Sequence, residues 1–221
     1  MNRFNMMKKI SAFLVAGFCL AVMQVQAAPE FKQQLLTLQE QWAHINYEVP
    51  KSQKEAEFEK LAAQLKEFGV QNPDRAEPLI WRGIVLSTWA GAKGGLGALG
   101  LVKDARALFE QSLAVSQDAL QGSAYTSLGS LYYQVPGWPV AFGDDKKAAE
   151  LLQKAITINA DGIDSNYFYG DYWLEQGEYQ KARQYLEKAL QAPDRPGRPL
   201  ADAGRRQEIK SRLAQVEDKL N

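Results

Sequence analysis

The sequence predicts an all-α fold, an α-solenoid of stacked helical hairpins between two capping elements. Three observations support this prediction. Apolar side chains recur along most of the chain at the spacing of one face of an α-helix. A unit with glycine on one helix and alanines on the next recurs around Gly83, Gly129 and Gly170. No segment alternates apolar and polar residues in the way that a half-buried strand does.

The first 27 residues have the pattern of a secretory signal peptide. A basic start that ends at Lys9 precedes an apolar run over residues 10–23, and small residues follow. That run is shorter than the ~20 residues that cross a bilayer, which favours a leader over a retained membrane anchor. We expect cleavage between Ala27 and Ala28, and export to a bacterial periplasm.

The mature chain is weakly acidic and carries no thiol. Removing Arg3, Lys8 and Lys9 with the leader leaves 23 basic and 26 acidic residues, a net charge of −3. Proteins that bind nucleic acid use positive fields, so this balance disfavours that class. Cys19 is the only cysteine, and Phe18 precedes it where a lipid-anchor site requires a small residue. The remaining 194 residues therefore form no disulfide, but they are enough for a sizeable core.

Residues 28–75 are expected to form a helical hairpin that begins the array. Apolar residues at helical spacing predict helices over Phe31–His44 and Gln53–Phe68. The apolar positions are Phe31, Leu35, Leu38, Trp42, Phe58, Leu61, Leu65 and Phe68. Because this hairpin lacks the glycine and alanine signature, we interpret it as a degenerate repeat or a cap.

Residues 76–194 contain the three glycine-alanine units. In the clearest of them, Gly170 and Trp173 belong to a first predicted helix, Gly177 to the turn, and Ala182 and Ala189 to a second helix. Small residues suit the place where two helices cross closely, and large residues fill the space beside them. The middle unit repeats this pattern well, and the first unit repeats it faintly.

This pattern resembles the tetratricopeptide repeat (TPR), a helical hairpin of about 34 residues. The glycines at 83, 129 and 170 lie 46 and 41 residues apart, so the first two units are longer than that repeat. The extra residues predict a loop insertion between the two helices of each long unit. What the resemblance implies is a right-handed superhelix that binds partners and does not catalyse a reaction.

The first insertion contains GGLGALG, residues 94–100, which fits the G-x-G-x-x-G pattern of a dinucleotide-binding turn. Asp118 even lies near the place where that fingerprint has an acidic residue. The fingerprint requires a buried strand before its first glycine, whereas a helix over Leu79–Trp89 is predicted there. We therefore interpret the stretch as a glycine loop before a helix over Val102–Ala114, and we expect no cofactor.

The second insertion places Trp138 and Phe142 on a loop that Pro136 and Pro139 stiffen. Large apolar residues on such a loop suit a ligand pocket or the anchoring of a partner. The alternative is that Trp138 fills the groove between neighbouring repeats. Asp144 is interpreted as the N-cap of the helix that follows.

The candidate binding surface combines the hollow face with this loop. In repeats of this kind the first helix of each hairpin lines the hollow face. A solvated face without an occupant is the alternative interpretation. The candidate residues are Thr88, Trp89, Thr126, Ser130, Tyr133, Gln134, Trp138, Phe142, Tyr167 and Asp171.

Residues for catalysis or metal binding are sparse. His44 is the only histidine, and no G-x-S-x-G motif accompanies it. No pair of carboxylates stands out as a catalytic pair. The sequence therefore predicts neither an enzyme nor a metal site.

Residues 195–221 are expected to close the array. Prolines end the preceding helix, and an amphipathic helix is predicted over Leu200–Leu220. Basic residues between Arg195 and Arg212 are interleaved with acidic ones. A solvated face and a surface for an anionic partner both account for that pattern.

Two functions stay open at this point. The first is a non-enzymatic periplasmic scaffold that binds a segment of a partner protein in an envelope or transport assembly. The second is a periplasmic protein that binds a small apolar ligand, similar to the T component of TRAP-type transporters. In that family the repeats form a ligand-conducting hollow, often as a homo-oligomer. Our chain lacks the lipid-anchor cysteine that such proteins can carry.

Overall fold

The computed structural model describes residues 30–221, and in that range the chain forms nine α-helices and no β-strand. The predicted leader, with Ala27 and Ala28, lies outside the described residues. Within residues 30–221 no helix is long and apolar enough to cross a membrane. The helices are α1 (30–47), α2 (Lys51–Gln71), α3 (Ala76–Lys93), α4 (Ala98–Val115), α5 (Ala119–Gln134), α6 (Asp145–Ile158), α7 (Ile163–Glu175), α8 (Tyr179–Leu190) and α9 (Pro199–Leu220).

The chain divides into two compact units, one that ends at Leu38 and one that spans Gln39–Asn221. The described part of the first unit is the start of α1, where Phe31, Leu35 and Leu38 are buried at helical spacing. The second unit contains the rest of α1 and helices α2 to α9.

Within Gln39–Asn221 the helices pack as a TPR-like series of hairpins. The pairs are α3 with α4, α5 with α6, and α7 with α8. The first helices of neighbouring hairpins also touch, α3 with α5 and α5 with α7, and α9 packs on α7 and α8. The all-α class and the TPR-like pairing predicted from the sequence are confirmed.

Each of these hairpins closes on a glycine of its first helix. A methyl group on that glycine would come within 2.6 to 2.8 Å of a side-chain carbon on the second helix, closer than carbon atoms pack. The absence of a side chain therefore sets the distance between the two helices. The contacting pairs are Gly83 with Phe109, Gly129 with Leu152, and Gly170 with Leu186.

The first predicted insertion is mostly helix and not loop. Helix α3 continues to Lys93 and α4 begins at Ala98, so only residues 94–97 connect them. Gly94 and Gly95 have φ angles of 67° and 58°, which glycine adopts readily and which end α3. Helix formers such as Leu99 and Leu101 then extend α4. In this structure a helix, and not a strand, leads into the glycines.

The second predicted insertion is a loop, residues 135–144. The Gly143 backbone N–H donates to the Pro136 carbonyl at 2.9 Å, and the Asp144 N–H donates to the Tyr132 carbonyl at 2.8 Å. The Asp144 carboxylate accepts from the Lys147 N–H at 3.0 Å, so its predicted role as an N-cap is confirmed.

The C-terminal helix α9 covers the third hairpin and is not solvated on all sides. Ile209 and Val216 are fully buried in a cluster with Ala182 and Leu186 of α8. The apolar side of α9 thus completes the core of the third hairpin.

Candidate binding cavity

A concave cavity of about 490 Å³, named here the inner cavity, opens within Gln39–Asn221. Its aromatic lining is Trp42 of α1, Phe58 of α2, Trp81 of α3 and Phe168 of α7. Four separate helices supply these rings, so the cavity exists only in the folded array. Large apolar side chains that converge on a concave space are typical of ligand sites.

Hydroxyl groups of α3 and α5 form the polar wall of the inner cavity. The Thr88 hydroxyl accepts from the Trp42 indole N–H at 3.1 Å and donates to the Ile84 carbonyl at 2.8 Å. The indole of Trp42 is thereby fixed against α3. The small hydroxyl residues of the wall are Ser87, Thr88, Ser123, Thr126, Ser127 and Ser130.

A second concave space of about 470 Å³, the adjoining cavity, shares part of its wall with the first. Trp81, Ser123, Thr126, Asp164 and Arg198 line both. The Arg198 guanidinium lies 5.0 Å from the centre of the Trp81 ring. We call the two cavities together the trough. The contact between Arg198 and Trp81 lies where the two cavities meet.

The one acidic residue of the inner cavity is neutralised by arginines. Asp164 receives Arg195 Nη1 at 2.5 Å and Arg205 Nε at 2.8 Å, on different oxygens. Arg195 also pairs with Asp202 at 2.6 Å, and Arg205 pairs with Glu208. Burial alone would raise the pKa of Asp164, but Arg205 and Arg195 outweigh it and hold that pKa well below its usual range.

Arg198 differs from its two neighbours because it forms no ion pair within residues 30–221. Its Nε is buried and lacks a hydrogen-bond acceptor in the described structure. Burial and the nearby Arg195 cation lower the pKa of Arg198 to about 10. The side chain therefore stays charged at neutral pH, at the boundary of the two cavities.

Four of the residues predicted from the sequence line the inner cavity: Thr88, Thr126, Ser130 and Gln134. They belong to α3 and α5, as the register of the repeats predicts. Trp89 is half-buried and is not part of the lining, and its indole N–H is buried without an acceptor in the described residues.

Tyr133, Tyr167 and Asp171 lie away from the trough, because α9 packs over the third hairpin. Asp171 is 1% exposed, accepts from the Tyr133 hydroxyl at 2.7 Å and pairs with Arg212 of α9 at 2.7 Å. Arg205 lies 4.4 Å from the centre of the buried Tyr167 ring. Tyr167 and Asp171 are buried, so the prediction that they belong to the hollow binding face is wrong.

Trp138 and Phe142 lie on the 135–144 loop, outside the trough. Trp138 is 89% exposed, so it does not fill a groove between repeats. Phe142 instead packs edge-on against Tyr132, with ring centres 5.5 Å apart, and lies 5.0 Å from the Arg106 guanidinium. A binding role for these aromatics stays a prediction.

Replacing Trp138 with alanine is expected to leave the free energy of unfolding within about 0.5 kcal/mol of the wild-type value, because an exposed side chain has little packing to lose. Urea denaturation of both proteins measures the difference. A fall of several degrees in Tm would show instead that the indole is part of the core.

Sequence reasoning missed Trp42, Phe58 and Phe168 as parts of one site, because spacing assigns Trp42 and Phe58 to helix cores and gives Phe168 no role. His44, which drew attention as the only histidine, is exposed and bonds Glu48 through Nδ1 at 2.7 Å. No group of three or more His, Cys, Asp or Glu residues in the described range 30–221 is placed to hold a metal ion.

No protein-family model matches the chain, and no curated protein matches it. Among solved structures, a crystal structure of MamA is 21% identical over 76% of this chain and 92% of that one, with a TM-score of 0.43. A second MamA structure is 20% identical over 85% and 92% of the two chains, with a TM-score of 0.42.

A thermophilic TPR protein of Thermus thermophilus is 16% identical over 71% of this chain and 92% of that one, with a TM-score of 0.35. The TPR-like character of the fold lies in the hairpin packing itself and in the glycines at the three helix crossings.

Proposed function

We propose that the protein is a non-enzymatic binding scaffold that holds a segment of a partner protein in the trough. The observation that carries this proposal is the shared wall of the two cavities, which gives one continuous concave surface on α3 and α5. Aromatic rings supply apolar contact area, and hydroxyl groups supply hydrogen bonds that fix an extended chain.

The proposed location is the periplasm, within an envelope or transport assembly. The pattern of the first 27 residues supports export, and the net charge of −3 after the leader argues against a nucleic-acid partner. A chain without cysteine after the leader also suits an oxidising compartment, since no thiol is available for unwanted disulfides.

A second candidate function is the binding of a small ligand, as in the T component of TRAP-type transporters. The cover of α9 over Tyr167 and Asp171 favours it, because this helix bounds the trough on the side of the third hairpin. The inner cavity, at about 490 Å³, also lies within the ~300–1,000 Å³ typical of small-molecule sites.

Crosslinking in intact cells distinguishes the two functions. A photoreactive benzophenone amino acid replaces Ser127, which lines the inner cavity, or Gln111, an exposed residue of α4 that serves as the control. The scaffold proposal predicts one dominant protein crosslinked from position 127 and not from position 111. Equal yields from both positions, or no protein from position 127, would contradict it.

A further inference from the structure

The charge of the inner cavity is unbalanced. Its lining includes Lys51, Lys54, Arg198 and Arg205, against Asp164 as the one acidic residue. Arg205 and the neighbouring Arg195 already compensate that carboxylate. Positive charge is therefore in excess on the surface that an occupant of the cavity meets.

The adjoining cavity shows no such excess, because its lining has three acidic residues, Asp161, Asp164 and Asp194, against Arg195 and Arg198. Asp161 pairs with Lys188 at 3.1 Å, and Asp194 pairs with Arg206 at 2.9 Å. Arg198 faces both cavities and is the arginine of the trough lining that has no ion pair in the described residues. The arginine without an ion pair thus lies at the boundary between the cavities, whereas Lys51 and Lys54 line the inner cavity alone.

The surroundings of Arg198 suit an anionic group. The Trp81 ring, 5.0 Å from the guanidinium carbon, supports one side of this side chain. Its buried Nε has no hydrogen-bond acceptor among residues 30–221. A guanidinium donates two parallel hydrogen bonds to a carboxylate, and a partly buried site strengthens such bonds.

We propose that Arg198 binds a carboxylate of the occupant, namely an acidic side chain flanked by apolar residues in the partner segment. The apolar neighbours of that side chain pack on the half-buried Phe168 ring, which lines the same cavity. This inference rests on the proposed function and specifies the chemistry of the partner.

A matched pair of peptides tests the inference. The probes are acetyl-Phe-Glu-Leu-amide and acetyl-Phe-Gln-Leu-amide, which differ in one charge. The indole N–H signals of the tryptophans report binding by NMR. Wild-type protein is expected to bind the glutamate peptide about tenfold more tightly, as one charge-assisted hydrogen-bonded pair provides.

Two variants assign that preference to Arg198. In Arg198→Gln the ratio of the two Kd values should fall below about twofold, whereas Arg198→Lys should keep part of it because the charge remains. Lys146→Gln removes the same charge from an exposed site on α6 and should leave the ratio unchanged. Thermal unfolding checks that each variant is folded, and Arg198→Gln breaks no ion pair of the described part of the chain.

Failure of the inference and failure of the proposed function give different results. Equal affinity of wild-type protein for both peptides would overturn the inference alone. If neither peptide binds, the sequence of the partner segment crosslinked from position 127 tests the inference. A segment without Asp or Glu refutes the inference only, and the absence of any segment refutes both. If the segment contains an acidic residue, the comparison is repeated with that segment as a synthetic peptide and with its Gln or Asn variant.

Discussion

Replacing Phe109 with alanine is expected to lower the free energy of unfolding by about 3–5 kcal/mol, the range for large aromatic residues cut back in a core. Phe109 is fully buried, and its ring lies against Gly83 where α3 and α4 cross. The substitution removes apolar contacts and leaves a cavity at the point that holds the first hairpin together. Urea denaturation at equilibrium measures the loss.

The contact between Gly83 and Phe109 also predicts that a substitution at one position partly compensates for a substitution at the other. Gly83→Val alone should destabilise the protein by about 1–3 kcal/mol, since a Cβ at that position would lie 2.6 Å from a ring carbon of Phe109. In the Phe109→Ala background the valine should fill part of the cavity. The loss of unfolding free energy in the double variant should then be smaller than the sum of the two single losses, by about 1 kcal/mol or more.

Gly91→Ala is the matched control, because it lies on the same helix and a Cβ there meets no atom of another helix within 4 Å. It should be neutral or stabilise by up to about 1 kcal/mol, since alanine is the better helix former. Additive effects of Gly83→Val and Phe109→Ala would mean that the two residues do not share the contact that the structure assigns to them.

Asp164→Asn is expected to destabilise the protein by about 2 kcal/mol at pH 7. The carboxylate pairs with both Arg195 and Arg205, and removing it leaves two partly buried cations with less compensation. The effect should be below the ~3–5 kcal/mol of a fully buried pair, because the Asp164 side chain is 33% exposed and each arginine keeps a second acidic partner.

The difference in unfolding free energy between wild type and Asp164→Asn should change with pH in a definite direction. The two arginines lower the pKa of Asp164 in the folded state below its ordinary value of 3.8. A carboxyl with a depressed folded pKa stabilises the protein above the unfolded pKa, and that contribution is lost as the pH falls through the folded pKa. The gap between wild type and Asp164→Asn should therefore be constant from pH 7 to about pH 5 and shrink below pH 4.

Urea denaturation of both proteins at several pH values between 7 and 2.5 measures that gap. Asp218→Asn is the control, since Asp218 is an exposed residue of α9 and should show little change at any pH. A gap between wild type and Asp164→Asn that stays constant down to pH 2.5 would contradict the role given to the two ion pairs.

Local patterns in the sequence were enough to predict the helical hairpins. Apolar spacing places α2 within a few residues of its bounds, and the glycines at 83, 129 and 170 mark the three crossings. The Asp144 N-cap also follows from its own position before a helix. These features depend on contacts between residues near in sequence, or on a size requirement that only glycine meets.

The extent of the first insertion could not be predicted in the same way. Glycines from 94 to 100 suggest a loop, but Gly97 and Gly100 are compatible with helical geometry, and α4 begins at Ala98. Packing of α4 on α3 around Phe109 stabilises the longer helices. Tertiary contacts thus outweigh the weak local preference of glycine against helix.

The sequence by itself determined the helical hairpins and their glycine crossings, whereas the tertiary structure decided the site. The inner cavity joins Trp42, Phe58 and Phe168, which lie far apart in the chain and meet because the helices stack. The position of α9 decides that Asp171 is buried, and among residues 30–221 Arg195 and Arg205 are neutralised while Arg198 forms no ion pair. Those outcomes depend on how a distant helix packs, and spacing along one helix carries no information about that.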